Sequence, residues 1–501
     1  MVRDDEFTRP VPTGSRSGEL LFAALVASFC IIYLLYYPAS YSIKDESATL
    51  RLSYALAHGT IYLERVGLTT GLTINGHAVS LYSPFHAALL AGCLFSNWRL
   101  GFAVTAMFFL LGAFTVRGML KRDALSSGWC ILYFLNPGAL YYSQTLMAAI
   151  PSASMGLLGV ALLTRQSPRV VLGGLALGCA VLLHPWMGLF ALVFSTVWLL
   201  ENSGTVVIER ALRLALGAMP AVALLTIYNY FTTGSPLRYA YWVLGHQHNF
   251  KGAQIASFVP FYLISLAIFP LGGLAILSPR WAKGWAIPAA SAATLVMASL
   301  YYYRDGLNLQ SPDIRHLIAG AIPGQRFLLP VSFVACVPAA RWIDSILSKL
   351  PLQLEYLAAG LTGVFFIGGF WTLSAVHQNY LRAHATVQRA LDSDVPNDAH
   401  VVVLSDLAVH FENGCKELAP VYKIWHCVDE IDPKSDTSSN FPRAYVMWAA
   451  APGSRAPARW FAGRYYRLIQ VRSSVWKADL WLGAPIGIHG FSQTASRTGP
   501  S

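Results

Sequence analysis

The chain alternates long apolar runs with short polar segments that carry most of its charged residues. A helix needs about 20 residues to cross the roughly 30 Å of hydrocarbon in a bilayer. The pattern therefore predicts an α-helical polytopic membrane protein with about eleven transmembrane helices, at 20–38, 100–120, 128–147, 148–164, 170–184, 186–200, 211–231, 258–277, 284–303, 327–346 and 355–375. The two runs that flank His184 and Pro185 are the shortest, at about 15 residues each.

The segment 39–99, between the first two spans, predicts structure at the membrane surface. Its polar residues recur at the spacing of one helical face, at Ser47, Arg51, Tyr54 and His58. This spacing is typical of an amphipathic helix that lies on a membrane. Asn75 and Gly76 then indicate a turn. The apolar run within 84–96 is too short to cross, so we expect a second juxtamembrane helix there.

The region after residue 376 has a different composition. Short β-rich runs predict a small extracytoplasmic α/β domain at 376–485, with strands near 401–404, 421–427, 444–448, 465–471 and 480–482. Residues 486–501, rich in Gly, Ser and Thr, predict a loose tail. Cys415 and Cys427 lie in this polar region, where an oxidising compartment would permit a disulfide, and the sequence leaves that pairing open.

Composition and charge favour a membrane protein over a nucleic-acid-binding one. Apolar residues make up 55% of the chain and charged residues 12%. The net charge of +11 comes from Lys and Arg scattered between apolar spans, with no basic patch, so we expect no nucleic-acid partner. The positive-inside rule places segment 1–19 and the basic cluster near Lys121 in the cytoplasm. The first span then acts as a signal anchor in the cytoplasmic (inner) membrane, and the C-terminus lies outside.

The chemistry most unusual for this setting is the adjacent pair Asp45 and Glu46, close to a predicted lipid boundary. Carboxylates there are costly, which indicates a functional site. The alternative is that Asp45 only caps a helix that starts at Glu46.

Cations dominate the later outer loops, with Lys251, Arg304, Arg315 and Arg326 on the same predicted side as the acids. Arg326 opens a span whose N-terminal amides and dipole would add to its guanidinium as a phosphate site. The alternative is an interfacial anchor that snorkels to the headgroups. His246 and His248 are too few to indicate a metal, and His184 before Pro185 is more typical of a helix hairpin.

The order of these motifs resembles the polytopic glycosyltransferases of the GT-C class, which include protein O-mannosyltransferases and bacterial aminoarabinose transferases. The resemblance covers about residues 20–375. The matching motifs are Asp45 and Glu46; Asn75, Gly76 and Tyr82, Ser83, Pro84; Tyr228, Asn229 with Gly234, Ser235, Pro236; Leu277, Ser278, Pro279, Arg280; and Gly324, Gln325, Arg326, Phe327, Leu328, Leu329, Pro330.

The resemblance implies transfer of a sugar from a polyprenyl-phosphate carrier to a lipid, glycan or protein acceptor outside the membrane. Asp45 would act as the general base, Glu46 would orient the acceptor, and Arg326 would hold the leaving phosphate. Further substrate contacts are expected from Lys251, Arg304, Arg315, Tyr82 and His58. Asp45 and Arg326 are then expected to line one pocket at the outer leaflet.

One departure from the family pattern changes the expected chemistry. Many relatives carry an acid shortly after the Tyr-Ser pair that here is Tyr142 and Ser143, whereas this chain has Ala148 and Ala149. We therefore expect no second catalytic carboxylate, no metal and no other cofactor. A single base leaves no covalent route, which favours inversion at the anomeric carbon.

Two other classes of function are compatible with the pattern. A lipid or glycolipid transporter or flippase would move its substrate without covalent chemistry, but such proteins usually carry charges within spans and show repeat symmetry. Here nearly all charges sit at span ends and no repeat is evident. A structural or assembly partner would act through the outer α/β domain.

Overall fold

The computed structural model describes residues 16–41, 44–63, 71–202, 204–243, 255–301, 324–347, 352–394, 400–404, 426–431, 445–450, 465–473 and 478–485. The chain divides into two compact units. The first comprises Met1–Pro38 and Leu81–Val376, and the second comprises Ala39–Ser80 and His377–Ser501. Lys251, Arg304, Arg315, His246, His248, Cys415 and the tail 486–501 lie outside the described residues.

Helices account for most of the described chain. In chain order they are α1 (Arg16–Leu35), α2 (Lys44–Ala57), α3 (Pro84–Leu94), α4 (Leu100–Arg122), α5 (Ile131–Phe134), α6 (Pro137–Ser143), α7 (Ala149–Leu163), α8 (Val170–Leu183), α9 (Met187–Asn202), α10 (Val207–Thr233), α11 (Ala240–Val243), α12 (Ile255–Ile268), α13 (Pro279–Ala282), α14 (Ala286–Leu300), α15 (Leu329–Leu347) and α16 (Leu352–Asp394). Short 3-10 turns occur at Ser127–Cys130, Gly204–Val206, Gly273–Leu277 and Gln325–Phe327.

Several helices are long and apolar enough to cross a membrane, which makes this a multi-pass membrane protein. Five such stretches lie in the described residues, at Arg16–Leu35, Leu100–Arg122, Val207–Thr233, Leu329–Leu347 and Gly360–Gln378. They coincide with predicted spans. Further apolar helices are shorter, so the predicted count of eleven stays a prediction. On α10 large apolar side chains such as Leu212, Leu216 and Val222 are exposed, as expected of a lipid-facing surface.

The predicted span 128–147 is wrong as a continuous helix. The chain there forms a 3-10 turn, α5 and α6. The break falls at Asn136 and Pro137 because proline has no N–H to donate and disfavours helical backbone at the residue before it. Asn136 is extended, and its Oδ1 accepts a hydrogen bond from the Ala139 N–H at 2.9 Å. It therefore caps the new helix instead of continuing the old one.

Helix α16 runs to Asp394, well past the predicted end at residue 375. No glycine or proline interrupts residues 376–394, and the next proline is Pro396. Nothing in the local sequence therefore ends the helix where the apolar run ends.

The prediction of an amphipathic surface helix at Ser47–His58 is wrong for most of its length. Side chains on opposite faces of α2 are buried, with Ser47 3% and Leu52 0% exposed, while His58 is exposed. The polar side chains tolerate burial because their hydroxyls bond the backbone one turn earlier. Thr49 Oγ1 donates to the Asp45 carbonyl at 2.8 Å, and Ser53 Oγ donates to the Thr49 carbonyl at 2.7 Å.

The turn and the short helix predicted within segment 39–99 are confirmed, whereas their position at the membrane surface stays a prediction. An antiparallel hairpin joins β1 (Gly71–Ile74) and β2 (His77–Ser80). Its turn residues Asn75 and Gly76 have φ values of 51° and 80°, which suits Asn-Gly in a two-residue hairpin turn. The short helix predicted at 84–96 is α3, with Pro84 at its first position.

Five strands follow α16, close to the predicted β-rich runs. They are β3 (His400–Leu404), β4 (His426–Ile431), β5 (Tyr445–Ala450), β6 (Tyr465–Ser473) and β7 (Ala478–Pro485). The second was predicted at 421–427 and lies later. They form one mixed sheet of order β4-β3-β5-β7-β6, in which β3 is parallel to β4 and β5, and β7 is antiparallel to β5 and β6. The predicted α/β domain stays a prediction because the connections lie outside the described residues.

Helices α8 and α10 pack closely against each other through small residues. Gly174 and Gly178 on α8 have the Gly-x-x-x-Gly spacing that lets helix backbones approach in membranes. A Cβ on Gly174 would lie 3.1 Å from the Leu214 carbonyl carbon, and one on Gly178 would lie 3.1 Å from the Ala218 Cα. Side chains at these positions would force the two helices apart.

Two carboxylates, Glu19 and Asp123, pair with basic side chains near helix ends. The positive-inside rule predicts that these ends face the cytoplasm. Glu19 accepts hydrogen bonds from Arg117 and from Ser127, and it pairs with Lys121 at 2.7 Å. Asp123 pairs with Lys283 at 2.6 Å and accepts a hydrogen bond from Arg341 Nε at 3.0 Å. These ion pairs join helices that are far apart in sequence.

Candidate functional site

Asp45 and Glu46 lie in the second unit, in the first turn of α2. Their exposed fractions are 8% and 1%, which is unusual for carboxylates. Helix α2 begins at Lys44, so Asp45 and Glu46 both lie in its first turn, and the alternative that Asp45 only caps the helix stays open. The positive end of the helix dipole favours anionic side chains in this turn. Two buried carboxylates therefore lie side by side at the positive end of this helix.

His58 precedes the hairpin in the sequence, and Tyr82 follows it. His58 follows the C-terminus of α2, and its Nδ1 lies 2.8 Å from the Tyr54 carbonyl oxygen. Its ring lies 4.1 Å from the Tyr54 ring. Tyr82 belongs to the first unit and is half-buried directly before α3. The two predicted substrate contacts thus belong to different units.

Arg326 lies in the 3-10 turn Gln325–Phe327, immediately before α15. Its guanidinium carbon lies 4.8 Å from the centroid of the Phe327 ring, which is a cation–π arrangement. The Phe327 ring packs against Trp186 at 4.8 Å and Tyr301 at 5.5 Å between centroids. Arg326 is itself half-buried. A cation held against aromatic faces suits an anionic headgroup attached to an apolar chain.

Gln325, the residue before Arg326, ties this turn to α6. Its side chain is buried, and its Oε1 accepts a hydrogen bond from the Gly138 N–H at 3.0 Å. In the sequence Gln325 stands out only as part of the motif that runs from Gly324 to Pro330. No local pattern identifies a contact between residues 187 positions apart.

His86 makes a second connection, between α3 and the segment that joins α6 to α7. Its Nε2 donates to the Leu146 carbonyl oxygen at 2.8 Å, because a carbonyl can only accept. Burial lowers the pKa of His86 to about 4, so the ring is neutral near pH 7. Ser83, at the position before α3, donates to the Leu182 carbonyl. His86 was not among the residues predicted from the sequence, because a lone histidine in an apolar run gives no local signal of this contact.

The predicted site residues that the structure describes are divided between the two units. Asp45, Glu46 and His58 share the second unit, and Tyr82 and Arg326 share the first. Among the residues that the structure describes, no group of three or more His, Cys, Asp or Glu side chains could hold a metal ion. The expected absence of a metal stays a prediction.

The fold and the helix lengths define a multi-pass membrane protein, and comparison with solved structures identifies its fold more closely. The chain is similar to ArnT from Cupriavidus metallidurans, an aminoarabinose transferase of the GT-C class. The crystal structure of apo ArnT matches with a TM-score of 0.55 at 12% identity, over 93% of this chain and 98% of that one.

ArnT bound to undecaprenyl phosphate matches with a TM-score of 0.55 at 13% identity, over 97% of this chain and all of that one. The GT-C resemblance is thus confirmed at the level of the fold. No protein-family model matches the chain, and no curated protein matches it by sequence.

Proposed function

We propose that this chain is a membrane glycosyltransferase that transfers a sugar from a polyprenyl-phosphate carrier to an acceptor on the outer side of the cytoplasmic membrane. The observation that carries the proposal is the fold shared over nearly the whole chain with ArnT, which has been solved with undecaprenyl phosphate bound. The buried acids of α2 and the aromatic-backed Arg326 support it, because transfer needs a base and a phosphate-binding group.

In the proposed reaction Asp45 removes the proton from an acceptor hydroxyl, and Glu46 orients that hydroxyl. The hydroxyl oxygen attacks the anomeric carbon while the bond from that carbon to the phosphate oxygen breaks. The electron pair leaves with the phosphate, so polyprenyl phosphate is the second product. A hydroxyl is a poor nucleophile near neutral pH, which is why a positioned base accelerates the step by about 10²- to 10⁴-fold. A single displacement inverts the anomeric centre.

Arg326 stabilises the negative charge that grows on the departing phosphate. Its half-buried position beside aromatic rings limits hydration and strengthens the interaction with an anion. Lys251, Arg304 and Arg315 would add positive charge from the outer loops, and Tyr82 and His58 would contact the sugar or acceptor. The proposal requires Asp45 and Arg326 to reach one substrate molecule.

The test measures sugar transfer by purified wild-type and Asp45→Asn protein in proteoliposomes, with a panel of undecaprenyl-phosphate-linked sugars and of lipid, glycan and protein acceptors. The readouts are the glycosylated acceptor and the released undecaprenyl phosphate. We expect Asp45→Asn to lose transfer by at least about a hundredfold while it still inserts and binds undecaprenyl phosphate. Glu209→Gln is the matched control, because Glu209 is an exposed acid that pairs with Arg213 across one helical turn and has no part in the proposed reaction.

Full transfer by Asp45→Asn would exclude Asp45 as the base. Movement of the intact lipid-linked sugar across the bilayer, with no cleavage by the wild type, would instead favour the transporter hypothesis.

A further inference from the structure

Two side chains cap the N-terminus of α6: Asn136, directly before the helix, and Gln325, from a distant part of the chain. The first N–H groups of a helix have no carbonyl partner within that helix. Pro137 has no N–H, so the groups in need of acceptors begin at Gly138 and Ala139. Asn136 Oδ1 accepts from Ala139 at 2.9 Å, and Gln325 Oε1 accepts from Gly138 at 3.0 Å. Both acceptor side chains are buried.

The contact between Gln325 and Gly138 depends on glycine. A Cβ at position 138 would lie 2.5 Å from Gln325 Oε1 and 2.8 Å from Gln325 Cβ. The second distance matters most, because Cβ cannot rotate away without a shift of the backbone. Any side chain at position 138 would therefore displace the turn that carries Gln325.

That turn also carries Arg326. The Leu328 N–H donates to the Gln325 carbonyl at 2.8 Å, which closes the 3-10 turn around Arg326. On its far side the turn is held by Phe327, whose ring packs against Trp186 and Tyr301. Gln325 thus fixes one end of the turn and Phe327 the other, with the guanidinium-bearing residue between them.

We propose that Gln325 is a positioning residue for carrier binding: its hydrogen bond to Gly138 sets the backbone that presents the Arg326 guanidinium to a phosphate. This inference rests on the proposed function, in which Arg326 binds the carrier phosphate. The chemistry recognised is a phosphate monoester on a long apolar chain. Gln325 itself does not touch the ligand.

The experiment measures the Kd of undecaprenyl phosphate for purified protein in detergent, together with thermal unfolding of each variant. Gln325→Met keeps the length of the side chain and removes its acceptor. We expect it to raise the Kd by about tenfold, the effect of one lost buried hydrogen bond on the alignment of the site. Gly138→Ala should raise the Kd similarly, because it displaces an unaltered Gln325.

Asn136→Ala provides the matched control. It removes the other cap of the same helix end and leaves residues 324–328 untouched. We expect Asn136→Ala to lower the unfolding temperature as much as Gln325→Met does, with a Kd within about twofold of the wild type.

The outcomes separate the inference from the function on which it rests. If Arg326→Ala binds undecaprenyl phosphate as well as the wild type, the role of Arg326 in the proposed function is wrong. If Arg326→Ala loses binding but both Gln325→Met and Gly138→Ala retain the wild-type Kd, the positioning role alone is overturned. An equal rise in Kd for Asn136→Ala would also overturn it, because helix capping alone would then explain the effect.

Discussion

Substitution of Gly174 by Ala should destabilise the packing of α8 against α10. The added Cβ would lie 3.1 Å from the Leu214 carbonyl carbon and closer still to its oxygen, whereas ordinary van der Waals contact begins at 3.4 Å. Because the obstructing atoms are backbone, no rotamer change relieves the clash. Overpacking usually costs about 1–3 kcal/mol, and this contact belongs at the upper end of that range. Alanine favours the helix by about 1 kcal/mol relative to glycine, so the expected net loss in the free energy of unfolding is about 2 kcal/mol.

The matched control is Gly118→Ala on α4, where a Cβ would meet nothing within 4 Å. That variant should gain up to about 1 kcal/mol from helix propensity alone. Both are measured by equilibrium unfolding in mixed detergent micelles, with the wild type alongside. Equal stability of Gly174→Ala and Gly118→Ala would refute the backbone-contact explanation, and so would a Gly174→Ala protein as stable as the wild type.

Two further predictions concern ionisable groups. Asp123→Asn should lower the free energy of unfolding by about 2 kcal/mol, because it removes the negative charge paired with Arg341, whose side chain is only 15% exposed. Lys283→Ala should cost under about 1 kcal/mol, because the Lys283 side chain is 60% exposed. Equilibrium unfolding in detergent compares the two variants, and equal losses of stability would contradict this difference. Burial lowers the pKa of His86 from 6.5 to about 4. Because the unfolded chain then binds the proton at a higher pH than the folded protein does, the free energy of unfolding should fall as the pH drops from about 6.5 to about 4. Between about pH 7.5 and about pH 5, the free energy of unfolding of the wild type should fall by about 2 kcal/mol more than that of His86→Asn. An identical pH dependence of the two proteins would contradict this prediction.

Sequence patterns predicted the elements that depend on local information. Apolar runs located the long helices because a span needs a fixed length of apolar residues. The Asn75-Gly76 turn followed from the conformations that those two residues tolerate. The break before α6 also has a local signal, in Asn136 and Pro137, but the apolar run around it predicted one continuous span.

Features that depend on distant contacts could not be predicted in the same way. The burial of both faces of α2 follows from tertiary packing, and its polar spacing alone suggested a surface helix. The hydrogen bond from Gly138 to Gln325 joins residues 187 positions apart, so neither residue signals the other. The acids and Arg326 stand out in the sequence by their charge beside predicted spans and by the order of motifs, and neither signal carries distances.

The most direct test of the account is native mass spectrometry of the purified protein with its co-purifying lipids. We expect the wild type and Asp45→Asn to retain a polyprenyl phosphate, and Arg326→Ala to lose it while it keeps ordinary phospholipids. A wild-type protein that carries phospholipids but no polyprenyl phosphate, even after the carrier is added, would contradict the account.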